Sequence, residues 1–151
     1  MAITQLLRRS SFLSALLVSP LAYAQGAAGE LSVAELGAWL SGYESAWETK
    51  SPDAVAQLFV SGALYYETPY AEPFRGRDGI REYWSNVTAD QRDIDFQADI
   101  VGTVGNTGIA RWSATLTSIS SSAEVELNGV FLLEFDQDGL CAVLREWWHV
   151  R

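Results

Sequence analysis

The spacing of hydrophobic and polar positions changes along the chain. In the first half, apolar residues recur at steps of three and four, which is typical of one face of a helix. From residue 94 onward they alternate with polar residues, which is typical of strands with one buried side. The pattern predicts an α+β domain in which early helices cover one face of a curved sheet.

Three helices and a short strand are predicted before the change of period. The helices span 32–50, 51–59 and 77–88, and the strand spans 63–68, followed by a loop over 69–76. Ser32 and Glu35 fit a capping box at the start of the first helix. Ser51 and Pro52 form an N-cap followed by proline at the start of the second helix, and Gly62 is predicted to end it.

Four long antiparallel strands are predicted after the helices, joined by turns at 105–108, 120–122 and 136–139. Alternation in the last strand places Leu144, Glu146 and Trp148 on one face and Arg145, Trp147 and His149 on the other. The carboxyl group of Glu146 therefore lies between two apolar side chains of the face that is expected to be buried.

Composition and charge narrow the class of protein. With 151 residues, of which 48% are hydrophobic, the chain has room for one domain with a sizeable core. A net charge of −9 argues against binding of nucleic acid or stable attachment to an anionic membrane. The single cysteine, Cys141, excludes an internal disulfide, and with the single histidine, His149, it excludes the usual zinc site. We predict no metal and no cofactor.

Residues 1–24 have the features of a signal peptide. Arg8 and Arg9 precede an apolar segment, and Ala-Tyr-Ala at 22–24 fits a cleavage site. The apolar segment is shorter than the roughly 20 residues needed to span a bilayer. We expect an exported protein, periplasmic or secreted, with a flexible leader over 25–31 and a domain over 32–151. General secretory and twin-arginine export both stay open.

The mature part of the chain resembles the SnoaL-like superfamily, with its nuclear-transport-factor-like cone fold, to which ketosteroid isomerase and scytalone dehydratase belong. The resemblance is carried by GYESAWETKSPDAVAQLFVSGALYYETPY, EPFRGRDGIREYW and GVFLLEFDQDGLCAVLREWWH. It implies a cone-shaped, cystatin-like α+β barrel in which a curved antiparallel sheet and three N-terminal helices enclose an apolar pocket. It does not imply one activity, because this fold supports isomerases, dehydratases, cyclases, hydrolases and non-catalytic binders.

The resemblance to ketosteroid isomerase also implies roles for individual residues. Tyr43 stands where that enzyme has its oxyanion-hole tyrosine, and Glu67 stands where it has its general-base aspartate. Phe131 replaces the protonated aspartate that completes the oxyanion hole, so one of the two donors is missing. Trp148 matches a pocket tryptophan, and Trp84 matches the tyrosine network more loosely.

Three residues are candidates for catalysis: Glu67 as the base, Tyr43 as the oxyanion donor and Glu146 as a second acid or base. A carboxylate against aromatic walls loses water, which raises its pKa. Two carboxylates in one cavity push their pKa values apart, so that one can donate a proton while the other accepts one. The candidate substrate-binding residues are Trp47, Tyr65, Trp84, Trp112, Phe131 and Trp148.

The candidate carboxylates also have structural interpretations. Glu67 could bond backbone N–H groups, Arg75 or Arg77. Glu146 could pair with Arg111 or another arginine across the strands. A tyrosine or tryptophan in a helix stripe is more often a core residue than a catalyst.

The sequence leads to three hypotheses. In the first, the exported domain binds a small hydrophobic molecule and performs cofactor-free acid–base catalysis of the isomerase, dehydratase, cyclase or hydrolase type. In the second, the same pocket carries the molecule without a reaction. In the third, the protein is a dimeric accessory protein whose pocket is filled by its own tryptophans. A homodimer through the outer sheet face, formed by Arg145, Trp147 and His149, is compatible with all three.

Overall fold

The computed structural model describes residues 29–151, in which three helices pack on a curved, unclosed sheet of six strands. The elements are α1 (Val33–Glu48), α2 (Pro52–Gln57), β1 (Phe59–Tyr66), β2 (Phe74–Arg75), α3 (Gly76–Ala89), β3 (Gln91–Val104), β4 (Thr107–Ser118), β5 (Glu124–Phe135) and β6 (Cys141–Val150). The predicted α+β fold with three early helices is confirmed. The predicted signal peptide lies outside the described residues.

The six strands have the order β2-β1-β6-β5-β4-β3. The long strands β3 to β6 pair antiparallel, as predicted, but β1 lies parallel to β6, with Tyr65 opposite Leu144. Local periodicity does not predict this parallel pairing, because it joins residues far apart in the chain. The pairing places β1, which follows the first two helices, directly beside β6, the last strand.

Helix α1 begins as the capping box predicts. The Oγ of Ser32 accepts a hydrogen bond from the backbone N–H of Glu35 at 3.1 Å, and the Oε2 of Glu35 accepts one from the N–H of Ser32 at 2.8 Å. The buried residues of the helix are Leu36, Trp39, Leu40, Tyr43, Ala46 and Trp47. Val33, in the first turn, is 57% exposed and is not part of the buried stripe.

The predicted boundary between the second helix and the first strand is wrong. Helix α2 ends at Gln57, and Phe59 opens β1 instead of closing the helix. A short apolar run fits either element, and pairing decides the outcome here. Phe59 lies opposite Cys141 of β6, whose N–H donates to the carbonyl of Leu58 at 3.0 Å. Gly62 therefore lies within β1, and the predicted loop contains the short strand β2.

The predicted turns between the long strands are present, and the first and last of them have a clear local cause. Gly105, in the first turn, has a φ of +58°, which glycine adopts at no steric cost. In the last turn, the Oδ1 of Asp136 accepts from the N–H groups of Asp138 and Leu140. The regular alternation of β3 to β6 then sets one apolar face toward the helices.

The packing of the domain includes Leu31, one residue before the predicted domain boundary. Leu31 is only 7% exposed, and its N–H donates to the carbonyl of Gly105 at 2.8 Å. This bond ties the chain entering α1 to the turn between β3 and β4. Over residues 29–151, none of the helices has the length and apolar character needed to cross a bilayer.

Candidate active site

A cavity of about 240 Å³ lies between helices α1 and α3 and the inner face of the sheet. Its lining residues are Tyr43, Trp47, Tyr65, Glu67, Tyr83, Trp84, Val87, Gln91, Trp112, Leu127, Glu146 and Trp148. Eight of the nine residues that the sequence nominates for the site are in this set. The three candidate catalytic residues therefore share one cavity, although they come from three different elements or their ends.

Phe131 is the exception among the nominated residues. Its side chain is fully buried, with its ring 5.4 Å from that of Tyr43 and 5.4 Å from that of Trp112. It packs behind the cavity and is not among the lining residues, so this geometry does not support its predicted contact with a substrate. Alternation gave the correct face of β5 but not the depth of this residue below the wall.

Four lining residues were not nominated: Tyr83, Val87, Gln91 and Leu127. Tyr83 and Val87 are apolar residues four positions apart in the third predicted helix, so helical spacing was a signal for them. Gln91 opens β3 and accepts a hydrogen bond at its Oε1 from the Nε1 of Trp47 at 2.8 Å. Nothing in the local sequence distinguishes this glutamine from an exposed one.

A chain of hydrogen bonds connects Tyr43, Tyr65 and Glu146. The hydroxyl of Tyr65 donates to the Oε1 of Glu146 at 2.9 Å, and the hydroxyls of Tyr43 and Tyr65 lie 3.0 Å apart. Since the single proton of Tyr65 points to Glu146, the hydroxyl of Tyr43 donates to Tyr65. The chain depends on the parallel pairing of β1 and β6, which brings together residues 81 positions apart.

The environment of Glu146 favours its protonated form. Burial is the largest cause and the nearby Glu67 adds to it, while the hydrogen bond from Tyr65 acts in the opposite direction; together they raise the pKa of Glu146 to about 8. Arg111, its predicted structural partner, bonds Asp99 instead at 3.2 Å. Arg145, the adjacent arginine of β6, bonds Glu134 on the outer face.

Glu67 occupies a different environment, just beyond the end of β1. Its side chain is half-buried, in contrast to the 5% exposure of Glu146. Arg75 bonds Glu72, and the Nε of Arg77 donates to the carbonyl of Phe59 at 2.7 Å. Both arginines of the structural interpretation are thus engaged elsewhere, and Glu67 lies at the cavity.

The tyrosine hydroxyls of the site are held in their neutral form. Burial and then the charge of Glu146 raise the pKa values of Tyr43 and Tyr65 well above the usual value. The pKa of Tyr83 is also raised, first by burial, then by Glu146 and then by Glu67. The ring of Tyr83 lies 5.2 Å from that of Tyr65, and the three tyrosines line the same cavity as the two carboxyl groups. They can donate or relay protons but not act as phenolates.

Two tryptophans of the wall keep buried N–H groups without a partner. Within residues 29–151, the Nε1 atoms of Trp84 and Trp112 are buried and have no hydrogen-bond acceptor. A buried donor of this kind costs free energy, and such groups are rare in folded proteins. Trp112 contacts Gly129 across β4 and β5, where a Cβ would stand 2.9 Å from the Cε2 of the indole. Because Gly129 has no side chain, the indole ring of Trp112 can pack against its backbone.

The outer face of the sheet carries a separate groove of about 530 Å³. Trp147 and His149 line it, as the alternation predicts, together with the exposed Val130. His149 is therefore on the side away from the two carboxyl groups. Among residues 29–151, no cluster of three or more histidine, cysteine or acidic side chains has the arrangement needed to hold a metal ion.

The geometry of the inner cavity supports proton transfer. A carboxyl group with a raised pKa can donate a proton near neutral pH, and a second, less buried carboxylate can accept one. The hydroxyl of Tyr43 is committed to Tyr65, so its action as an oxyanion donor requires that this bond be exchanged for one to a ligand. Aromatic side chains line several sides of the cavity and limit the contact of its carboxyl groups with water.

Several solved protein structures share the fold that surrounds this cavity. A putative isomerase from Bacillus subtilis has a TM-score of 0.69 and 15% identity over 77% of this chain and 87% of its own. The epoxide hydrolase/cyclase-like enzyme SalBIII, which has a role in pyran ring formation in salinomycin, has a TM-score of 0.64 and 22% identity over 75% and 89%. These identities support a common fold and not a common activity.

A third structure, from Catenulispora acidiphila, has a ketosteroid isomerase-like fold and was solved in complex with trimethylamine. Its TM-score is 0.64, with 13% identity over 72% of this chain and 83% of its own. A search of curated proteins finds no match. A family model described as the SnoaL-like domain matches residues 40–144, which is more than half of the sequence. The chain therefore belongs to the SnoaL-like domain family.

Proposed function

We propose that this SnoaL-like domain is an enzyme that performs acid–base catalysis on a small hydrophobic molecule. Glu67 acts as the general base and Glu146 as the general acid. The reaction is an isomerisation, dehydration, cyclisation or hydration, each of which removes a proton at one atom and delivers one to another. The observation that carries the proposal is that two carboxyl groups in different environments face one aromatic cavity.

The proposed reaction uses the difference between the two carboxyl groups. Glu67 takes a proton from the substrate, and Glu146 gives its proton to a substrate oxygen on which negative charge develops. The hydrogen bond from Tyr65 holds the carboxyl of Glu146 in place and stabilises the carboxylate formed when the proton leaves. Tyr43 supports Tyr65 from the other side, so its proposed role shifts from direct oxyanion donor to positioning residue.

The proposal is tested with three small probe substrates: an epoxide for ring opening, a β-hydroxy ketone for dehydration and a β,γ-enone for isomerisation. We expect turnover of at least one. Replacing Glu67 by Gln should then lower kcat by about 10²- to 10⁴-fold, the usual contribution of a general base, with little effect on the affinity for these neutral probes. In the wild type, kcat should decline as pH rises through about 8, where the general acid Glu146 loses its proton. Glu146→Gln should remove this pH-dependent decline.

Glu124→Gln is the matched control, because it makes the same change of charge at an exposed position at the start of β5. Its kcat should equal that of the wild type. Turnover of none of the three probes, or turnover that Glu67→Gln leaves unchanged, would contradict the proposed enzyme.

A non-catalytic carrier is the second candidate. Two observations favour it: Phe131 fills the position of the second oxyanion donor with an apolar ring, and the hydroxyl of Tyr43 is already bonded to Tyr65. A carrier would bind the neutral probes with the same affinity in wild type and Glu67→Gln and convert none of them. The accessory-protein hypothesis is disfavoured, because the tryptophans leave about 240 Å³ open.

We further propose that the protein is exported and forms a homodimer through its outer sheet face. The N-terminal sequence supports export, and N-terminal sequencing of the protein secreted from an expressing bacterium tests it at Ala24. The exposed side chains of Val130 and Trp147 support the dimer. Sedimentation of wild type and Trp147→Asp tests it, since the charge should produce a monomer.

A further inference from the structure

The cavity is lined by an unusual concentration of aromatic rings. Four tryptophans and three tyrosines contribute to it: Trp47, Trp84, Trp112, Trp148, Tyr43, Tyr65 and Tyr83. The face of an aromatic ring carries partial negative charge and attracts a cation within about 6 Å of its centre, and tryptophan does so most strongly. Water competes poorly in such a cavity, which increases the attraction.

The charged groups at the cavity are all acidic. Glu67 and Glu146 are in the lining, which includes no lysine, arginine or histidine among the described residues. Arginines close in sequence have other partners: Arg75 bonds Glu72, and Arg145 bonds Glu134. The guanidinium of Arg145 also lies over the outer-side ring of Tyr66, 5.2 Å from its centre. The cavity therefore has negative charge without a positive partner.

The remaining ligand classes fit this lining less well. An anion can accept from the buried N–H groups of Trp84 and Trp112, but it would also meet two carboxyl groups and the faces of electron-rich rings. A neutral molecule can pack on the rings, but it would cover the half-buried Glu67 and leave its charge without a counter-ion. A cation satisfies both the rings and the carboxylate, and the net charge of −9 on the whole chain attracts it from solution.

We propose that the ligand of this cavity is a small organic cation, a tertiary or quaternary ammonium group attached to a short apolar or hydroxylated skeleton. The ammonium group lies between the tryptophan faces and the carboxylate of Glu67. A cavity of about 240 Å³ suits a compact ligand of this kind, since pockets for drug-sized molecules hold roughly 300–1,000 Å³. This inference rests on the proposed function, whose substrate class it names.

The test compares choline with 3,3-dimethylbutan-1-ol, in which a carbon replaces the charged nitrogen of choline. Both are titrated into the protein by calorimetry at neutral pH. We expect choline to bind at least tenfold more tightly than its neutral isostere. Glu67→Gln should reduce this preference, whereas Glu124→Gln, with the same change in net charge outside the cavity, should keep it.

The contribution of the rings is tested separately. Trp148→Leu should weaken the binding of choline more than that of the isostere, and Trp147→Leu, one position away on the outer face, should change neither. A cation near Glu146 also favours its ionised form, so choline should release protons on binding. The heat of binding should then vary with the ionisation enthalpy of the buffer for choline and not for the isostere.

Equal affinity of the two probes in the wild type, or failure of choline to bind at millimolar concentration, would overturn the cation inference. Neither outcome affects the acid–base proposal, which depends on the kcat of Glu67→Gln. Conversely, a tenfold preference for choline together with no turnover of any probe substrate would support the cation ligand and leave the protein as a carrier.

Discussion

On β6, Glu146 and Trp148 face the cavity, whereas Trp147 and His149 face the outer groove. The same residue types thus meet two environments within a few positions of one strand. On the inner face, burial raises the pKa of Glu146 to about 8. On the outer face, Glu134 is partly exposed and bonds Arg145 at 2.6 Å. The comparison shows that the side of the sheet on which a glutamate lies determines its state. On the inner face the carboxyl group is buried with a raised pKa, and on the outer face it is partly exposed and paired with an arginine.

The largest expected effect of this difference is in packing. Phe131→Ala removes a fully buried ring that stacks on Trp112 at 5.4 Å, and it should lower the free energy of unfolding by about 3–5 kcal/mol. Val130→Ala, on the outer face and 38% exposed, should cost less than about 1 kcal/mol. Urea denaturation of both variants measures the contrast, and similar losses would contradict it.

The second expected effect is in the pH dependence of stability. Because the folded pKa of Glu146 is raised, the folded state holds its proton more strongly than the unfolded state does. The contribution is therefore complete below the unfolded pKa of about 4.5 and is lost as pH rises toward about 8, on the order of a few kcal/mol. Glu146→Gln should remove this part of the decline.

Glu134→Gln, on the outer face, is the control for the pH experiment. The free energy of unfolding, measured in denaturant at several pH values, should fall with the wild-type slope in this variant. If Glu146→Gln and the wild type had the same slope between about pH 5 and pH 8, the carboxyl group would not be protonated in the cavity.

The third expected effect concerns Gly129, which lies on β5 between Trp112 of β4 and Trp148 of β6. An added Cβ would meet the backbone carbonyl of Trp147 and stand 2.9 Å from the Trp112 ring. Gly129→Ala should destabilise the protein by about 1–3 kcal/mol and displace this ring. Proton chemical shifts of the Trp112 indole report the displacement, and an unchanged spectrum with unchanged stability would argue against this role of the glycine.

The smallest expected effect is on the outer face itself. Glu134→Gln breaks the bond to Arg145, in which both side chains are more than one third exposed. Exposed ion pairs contribute about 0–1 kcal/mol and are screened by salt. Thermal unfolding should change little, and a loss comparable to that of Phe131→Ala would show that the two faces are not as different as their burial indicates.

The sequence predicted those parts of the fold that local rules determine. The capping box at Ser32 and Glu35 and the alternation around Glu146 follow from spacing over a few residues, and both are present. The boundary at Phe59 was predicted incorrectly, because pairing with Cys141, far along the chain, decides between helix and strand. Local periodicity contains no information about a partner at that distance.

The site shows the same division between local and distant information. Alternation identified the face on which Leu144, Glu146 and Trp148 lie. It did not identify the hydrogen bond between Tyr65 and Glu146, which requires the parallel pairing of β1 and β6. It also did not show that Phe131 lies behind the wall, because depth depends on how closely helix α1 packs on the sheet. The roles assigned to Glu67, Tyr43 and Glu146 stay predictions.

The clustering of tryptophans around the cavity has an optical consequence. The indole rings of Trp47 and Trp84 lie 5.3 Å apart and are inclined at 79°, and those of Trp47 and Trp112 lie 6.0 Å apart at 68°. Chromophores this close and this far from parallel couple their electronic transitions, which produces paired bands of opposite sign in circular dichroism. A ligand that shifts one of these rings changes that signal, so circular dichroism would detect binding in the cavity without an added label.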